Sequence, residues 1–197
     1  YAGILTRHPE KIKTRFIGRL SRLDLNRPHA PGRVGSGKTC FLLSGPEPQR
    51  SLFEKRILNL LESVEDGSVL VRGVPDPIKA LDVPVHVTVH DFADAPQLER
   101  ILQTCKRVVC RPGYSTLMDL VGYQGQVILV PTPGQTEQEY LARHWADQGW
   151  AITRKQHELH LDPGCQVTTV PPPGCPSSHV TEAIEEFLSE ISENPQI

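Results

Sequence analysis

The sequence contains no uninterrupted apolar stretch long enough to cross a membrane. Its formal net charge is only −2, which argues against a protein that binds nucleic acid by neutralising phosphates. Five cysteines, an odd number without paired spacing, argue against a disulfide framework and predict a reduced interior. Cys105 and Cys110 flank a short apolar run, so we expect them to be small buried residues.

Side-chain groupings typical of hydrolytic or metal-dependent catalysis are also missing from the sequence. No Ser–His–Asp or Cys–His grouping stands out, and no pair of carboxylates can be assigned from spacing alone. His157 and His160 have no acidic or cysteine partners at metal-ligand spacing, so we interpret them as surface residues and predict no metal site. The chain begins Tyr1-Ala2-Gly3 without an initiator Met or a signal-like segment, and we therefore expect a fragment of a longer protein or a processed one.

What the sequence does contain is an alternation of short apolar runs with amphipathic helical patterns. The apolar runs predict strands at 39–44, 68–71, 85–89, 108–110, 127–130 and 149–152. Helical spacing predicts helices at 51–64, 95–105, from about 115, from about 136, and at 180–191. Strands that alternate with helices are typical of parallel sheets, so we predict an α/β fold with a Rossmann-like, doubly wound, mostly parallel sheet.

One segment matches the phosphate-binding loop pattern at every position, and we interpret the match as a coincidence. Residues 32–39 (GRVGSGKT) fit the phosphate-binding loop G-x-x-x-x-G-K-[ST]. That loop works only between a strand and a helix, where backbone N–H groups converge on phosphate. Here prolines precede it, and a strand-length apolar run ending at Gly45-Pro46 follows it. We therefore predict a flexible basic loop and reject a nucleotide triphosphatase.

Three polar turns at the carboxyl ends of predicted strands are the candidate site, because open α/β sheets bind ligands there. The turn 45–50 could bind a diphosphate through N–H groups and Arg50, or it could be a simple tight turn with a solvated Arg. In the turn 111–116, Gly113 lets a ligand approach the backbone. The spacing of Thr116 and Asp119 fits a helix-capping box equally well, and so does the spacing of Thr136 and Glu139 in the third turn.

The segments VVCRPGYSTLMDL and VILVPTPGQTEQEYLA, which hold two of these turns, resemble the carboxyl-terminal half of GT-B glycosyltransferases. The similarity covers residues 39–152 and is greatest to the branch that includes the lipid-linked peptidoglycan N-acetylglucosaminyltransferase. Members of this family have two Rossmann-like domains that face each other across a cleft. The amino-terminal domain binds the acceptor and supplies the catalytic base, and the carboxyl-terminal domain binds the nucleotide-sugar donor.

The resemblance implies a set of donor-binding residues in this chain. Arg111, Gly113, Ser115 and Thr116 would approach the diphosphate, and Asp119 would accept the ribose hydroxyls, where the family commonly has Glu. The loop 90–92 would hold the base. The complete predicted set is Gly45, Arg50, Phe92, Arg111, Gly113, Ser115, Thr116, Asp119, Gln135, Gln138 and Glu139. The turn 45–50 departs from the family, which has more glycine at this position.

The resemblance also implies a domain organisation. Residues 1–38 would be a linker or the end of an absent amino-terminal acceptor domain, and residues 39–197 would form the donor-binding domain. The terminal helix at 180–191 resembles one that packs back toward the amino-terminal domain. Because 197 residues cannot hold both halves, we expect this fragment to be inactive alone, with the catalytic base in the absent domain.

The function implied is transfer of a sugar from a nucleotide diphosphate sugar, expected to be UDP-linked, to an unknown lipid-linked or polysaccharide acceptor. No metal or other cofactor is expected to be required. The expected location is the cytoplasm, with peripheral binding to the inner membrane face in the full-length protein. Two alternatives stay open from the sequence: a non-catalytic nucleotide-binding module, and one half of a nucleotide-sugar epimerase.

Substitution of the lysine in residues 32–39 tests whether this motif binds phosphate. Lys38→Ala should leave nucleotide binding unchanged, because a lysine outside a working phosphate loop does not reach the ligand. Calorimetric titration with ATP and with uridine diphosphate would measure this. Loss of binding in Lys38→Ala would mean that the wrong motif was rejected.

Overall fold

The computed structural model describes residues 2–3, 19–23, 25, 38–74, 81–161 and 178–193, with side chains of the last segment described over 181–189. Six strands form within these ranges: β1 Thr39–Leu42, β2 Val69–Val71, β3 Thr88–His90, β4 Arg107–Cys110, β5 Gln126–Leu129 and β6 Ile152–Thr153. The helices are α1 Gln49–Leu58, α2 Ala95–Thr104, α3 Tyr114–Leu120, α4 Thr136–Asp147 and α5 Ser178–Glu193. Short 3-10 turns occur at Leu61–Ser63 and Gln156–Glu158.

The strands form one sheet in the order β3-β2-β1-β4-β5-β6, and every neighbouring pair is parallel. Parallel neighbours need crossover connections, which most of the helices supply. The chain winds outward from β1 in one direction and from β4 in the other, so the order reverses between β1 and β4. This topology confirms the predicted α/β, Rossmann-like, doubly wound sheet.

Both faces of the sheet are covered, and this is why the strands appear in the sequence as continuous apolar runs. Along β1 and the residue after it, Cys40 and Leu42 belong to one buried cluster, whereas Phe41 and Leu43 belong to the other. Successive strand side chains point to opposite faces, so each apolar run contributes to two cores at once.

The first core lies under α2, α3 and α4. Its helical members include Leu98, Leu102, Leu117, Leu120 and Trp145, all almost completely buried. Leu23 and Leu25 pack into the same cluster at 3% and 2% exposure. Part of the segment assigned in the sequence to a linker therefore packs against the Rossmann-like domain.

The second core is formed on the α1 side, where Phe53 and Ile57 are fully buried. Helix α1 begins two residues earlier than predicted, and the Glu47 carboxylate, just before the N-cap residue Pro48, accepts the Ser51 N–H at 3.1 Å. Ser51 and Glu54 have the spacing of a helix-capping box, but no box forms, because the Glu54 carboxylate accepts a hydrogen bond from the side chain of Arg72 at 2.6 Å. The Glu54 side chain therefore pairs with Arg72, 18 residues away in the chain, and does not cap the helix.

Two predicted strands are shifted along the chain. The strand predicted at 85–89 is observed at Thr88–His90, and Val85 is fully exposed. The strand predicted at 149–152 is observed at Ile152–Thr153. There the turn after α4 continues further, because the Trp150 N–H donates to the Trp145 carbonyl at 2.9 Å and Gly149 has a φ of 73°.

The phosphate-loop match is followed by a strand. Residues 32–37 lie outside the described part of the chain. Thr39, the last residue of the motif, begins β1 and is fully buried. The helix that a phosphate loop requires after its lysine is therefore replaced by the central strand of the sheet.

The terminal helix predicted at 180–191 is observed as α5. Ile184, Phe187 and Leu188 are exposed on it by 48%, 58% and 59%. In the described segments, no helix combines the length and the apolar character needed to cross a membrane.

Candidate functional site

The reversal of strand order fixes where a ligand crevice can form. In doubly wound sheets the crevice lies outside the carboxyl ends of the two strands at the reversal, here β1 and β4. The segments that follow these strands are 43–48 and 111–113, and the loop 130–135 after β5 lies next to them. The three turns singled out in the sequence are thus brought together at one edge of the sheet.

Arg111 follows β4 directly and has the most internal hydrogen bonds of the predicted site residues. It is only 2% exposed, and its guanidinium carbon lies 4.2 Å from the centre of the Phe53 ring. Its Nη1 donates to the carbonyls of Val130 and Pro131 at 2.9 and 2.8 Å. The β4 loop and the β5 loop are therefore held together by one buried side chain.

The second terminal nitrogen of Arg111 extends the connection to two further segments. Nη2 donates to the side-chain Oε1 of Gln156 at 2.6 Å and to the carbonyl of Gln49 at 3.4 Å. Burial lowers the pKa of Arg111 to about 10, so the guanidinium stays protonated at neutral pH. With its donors directed at protein oxygens, Arg111 positions the site. The approach of Arg111 to a diphosphate, which the resemblance implied, stays a prediction.

Arg50 is also internal. It is 5% exposed and lies within 2.6 Å of the Glu47 carboxylate and 3.4 Å of the Glu54 carboxylate. It also donates to the carbonyl of Arg72 at 3.3 Å. The free phosphate-binding charge expected of Arg50 is thus used inside the protein, where it ties the first turn of α1 to the end of β2.

Arg72 continues this network toward the loop after β3. Its guanidinium lies 2.6 Å from the carboxylates of both Glu54 and Asp91. The bonds to these carboxylates, with Glu54 the larger contributor, raise the pKa of Arg72. Asp91 and Phe92 form the loop expected to hold the base, and Phe92 is 55% exposed. The network therefore fixes the backbone of this loop and leaves the aromatic ring of Phe92 accessible.

The amino-terminal end of α3 lacks a side-chain cap. Its N-cap residue is Gly113, which has no side chain, so the N–H groups of the first turn keep no intrahelical partner. Ser115 is exposed and Thr116 is half-buried. A Cβ placed on Gly113 would lie 3.7 Å from Thr116 Oγ1. The predicted capping box of Thr116 and Asp119 is not formed, so Thr116 is not required to hold its own helix.

Asp119 instead fixes the segment that precedes the domain. Its carboxylate accepts from Ser21 Oγ at 2.7 Å, from the Arg22 backbone N–H at 3.3 Å and from Arg22 Nε at 3.1 Å. Asp119 is 7% exposed. The carboxylate expected to meet ribose is therefore occupied in this structure by residues 21 and 22.

The polar residues at the start of α4 shape their own loop. Gln138 Oε1 accepts from the Thr132 N–H at 2.9 Å, and Glu139 Oε1 accepts from the Gly134 N–H at 3.2 Å. These contacts replace the predicted cap between Thr136 and Glu139. Gln135 is exposed beside them. The loop is held from inside, and the amide nitrogen of Gln138 stays available for other partners.

Gly45 begins the turn after β1 and requires its glycine for conformational reasons. Its φ is 104°, a value that residues other than glycine rarely adopt. Space is not the reason for the glycine, because a Cβ at this position would meet no atom within 4 Å. Open space at this position leaves room for a ligand. The Glu47–Pro48 peptide that follows is cis.

Sequence reasoning missed the roles of Arg72, Glu54 and Gln156 in this site. Each acts through a partner 18 to 45 residues away in the chain, so no local spacing marks it. Across the ranges given above, no group of three or more His, Cys, Asp or Glu side chains is placed to hold a metal ion.

The fold and these loops define a Rossmann-like domain with a crevice at the strand reversal, and comparison with known proteins identifies its relatives. Residues 77–163 match the model of the glycosyltransferase family 28 C-terminal domain, a stretch that includes the loops after β3, β4 and β5. The match confirms the resemblance to GT-B carboxyl-terminal domains that the two loop segments carried. None of the curated proteins matches the sequence.

Two solved structures share the fold. MurG of Acinetobacter baumannii is 17% identical, with 91% of this chain and 57% of that chain covered at a TM-score of 0.52. The glycosyltransferase SnogD of Streptomyces nogalater is 18% identical, with 84% and 41% covered at a TM-score of 0.50. This chain therefore spans about half the length of these proteins, and at such identities the likeness shows the fold alone.

Removing the Arg111 guanidinium should destabilise the domain and separate its loops. Arg111→Ala leaves carbonyls of Val130 and Pro131 without their charged donor, and we expect a loss of about 3 kcal/mol in unfolding free energy. Urea denaturation would measure it. Arg100→Ala, at an exposed arginine of α2, should change stability by less than about 0.5 kcal/mol. Equal effects from the two variants would contradict the role given to Arg111.

Proposed function

We propose that this chain is the donor-binding half of a glycosyltransferase that transfers a sugar from a nucleotide diphosphate sugar, with uridine diphosphate as the carrier. The observation that carries the proposal is the convergence of the loops after β1, β4 and β5 at the strand reversal, with Arg111 joining the second and third. The family 28 match over residues 77–163 supports it. Because the chain spans only part of its structural relatives, the activity belongs to the complete enzyme.

The diphosphate would be bound mainly by backbone groups. The first turn of α3 offers N–H groups that have no intrahelical acceptor, and Gly113 lets the phosphate approach them closely. Hydrogen bonds aimed at a departing diphosphate stabilise the charge that develops as the glycosidic bond breaks. Ser115 and Thr116 would add hydroxyl donors, and Gly45 would form the opposite wall.

The remaining predicted residues would take the other parts of the donor. The exposed ring of Phe92 would lie against the base, and Gln135 with the free amide nitrogen of Gln138 would contact the sugar hydroxyls. Glu139 would act by holding the Gly134 backbone in place. Arg50 and Arg111 would position these loops from inside, without touching the phosphates.

Asp119 would accept a ribose hydroxyl only after it releases the segment before the domain. A hydroxyl already donates to this carboxylate, that of Ser21 at 2.7 Å, so the position receives an O–H donor of the kind that ribose offers. Donor binding would replace the Ser21 hydroxyl at this carboxylate with a ribose hydroxyl. Ribose recognition would in this way be coupled to the position of residues 21 and 22.

The parts outside this domain complete the proposal. A companion acceptor-binding domain, for which residues 1–38 are the linker or end, would supply the catalytic base and bind a lipid-linked or polysaccharide acceptor. No metal or other cofactor is assigned to the reaction, because helix and backbone dipoles would stabilise the leaving group. The enzyme would work in the cytoplasm, peripherally at the inner membrane face if its acceptor is lipid-linked.

The donor site is tested by removing one hydroxyl. Thr116→Ala should weaken uridine diphosphate binding about tenfold in calorimetric titration, as expected for loss of a hydrogen bond to a charged group. Thr104→Ala is the matched control, because its hydroxyl donates to the Ile101 carbonyl at the far end of α2 and meets no ligand in this account.

Two results would reject the assignment. One is equal uridine diphosphate affinity in the wild type, Thr116→Ala and Thr104→Ala. The other is a preference for ATP over uridine diphosphate, since that would point back to a triphosphate-binding protein.

A further inference from the structure

A concave region lies between α4 and the segment that follows β6. It has a volume of about 510 Å³, within the range of roughly 300–1,000 Å³ that small-molecule sites occupy. Its walls include Gly134 of the loop after β5 and Glu139 of α4, but neither Gly113 nor Thr116. The region is thus next to the proposed donor crevice and separate from the α3 end that would bind the diphosphate.

Positive charge dominates its wall. Arg143 comes from α4, and Arg154 and Lys155 come from the chain after β6. The one carboxylate in the wall, that of Glu139, already accepts the Gly134 N–H. In a chain with a formal net charge of −2, this concentration of cations around one concavity favours an anionic ligand.

The donors of these cations are largely unused. Within the described part of the chain, no hydrogen bond or ion pair involves the side chain of Arg143. Among the described residues, the side chain of Arg154 donates only through Nη1, to the carbonyl of its neighbour Thr153 at 3.1 Å. Lys155 lies 3.4 Å from Glu158, and both are largely exposed, so that pair is weak. Planar guanidinium groups with free donors match the geometry of a phosphate.

The concavity also has an apolar side, supplied by Pro131, Pro133 and Ala146. An apolar wall beside cations suits a phosphate that is attached to a hydrocarbon group, although a free phosphate would satisfy the same donors. Gln156 lies in the wall as well and accepts from Arg111, so this region shares a support with the donor crevice.

We propose that the concavity between α4 and residues 153–157 is a second ligand site that binds a phosphate group through Arg143, Arg154 and Lys155. It is distinct from the donor site of the proposed function, so a phosphate-bearing molecule and uridine diphosphate bind at the same time. The site stands on its own geometry and does not require the donor assignment to be right.

The test uses two probes in a buffer without phosphate: inorganic pyrophosphate, and decyl phosphate below its micelle concentration. Each is titrated calorimetrically into the wild type, with and without saturating uridine diphosphate. Arg143→Gln should weaken binding of the phosphate probe about tenfold, since it removes a charged donor. Arg100→Gln, at an exposed arginine of α2, is the matched control and should bind like the wild type.

The two probes distinguish a phosphate carried on an apolar group from a free phosphate. Stronger binding of decyl phosphate that Arg143→Gln weakens supports a phosphate carried on an apolar group. Binding of pyrophosphate alone, with the same dependence on Arg143, supports a free phosphate. The proposal is overturned if neither probe binds, if Arg143→Gln binds like Arg100→Gln, or if uridine diphosphate displaces the probe completely. Failure of uridine diphosphate to bind would count against the donor site only.

Discussion

The rest of this structure depends on one constraint: the guanidinium of Arg111 is buried, so its N–H groups must donate to protein oxygens. A charge taken out of water must be hydrogen-bonded, or it costs several kcal/mol. Arg111 meets that requirement with oxygens from the β5 loop, from α1 and from the segment after β6. Because one planar guanidinium donates to all of these oxygens, the loops around the crevice have little freedom to move independently.

Other charged side chains of the candidate site are also used for internal contacts. Charged side chains that could have met a ligand are used to fix backbone: Arg50 and Arg72 with their carboxylate partners, and Glu139 with its own loop. Exposed toward the crevice are glycines, short hydroxyl side chains and helix N–H groups. In the proposed function such a surface would recognise a diphosphate by geometry, while the strong charges lie where burial makes their orientation definite.

The sequence was sufficient for the architecture because a parallel sheet covered on both faces requires apolar runs, and those runs stand out between turns of Gly and Pro. The same reasoning placed the three polar turns at one edge of the sheet, since the carboxyl ends of parallel strands all lie there. It did not predict the partners of Glu54 and Asp119, because Arg72 and Ser21 lie 18 and 98 residues away from them in the chain. Spacing reports neighbours on a helix and cannot report such partners. The wall of the α4 concavity was missed for the same reason, since it joins residues from separate elements.

The claim that the β4 and β5 loops present one surface to a single diphosphate is tested most directly by backbone amide NMR during addition of uridine diphosphate. We predict that the largest shifts occur together, at the amides of Tyr114, Ser115 and Thr116 and at those of Gly134 and Gln135. Largest shifts at Lys38 and Thr39, where β1 begins at the opposite edge of the sheet, would contradict it, and so would a response confined to one of the two loops.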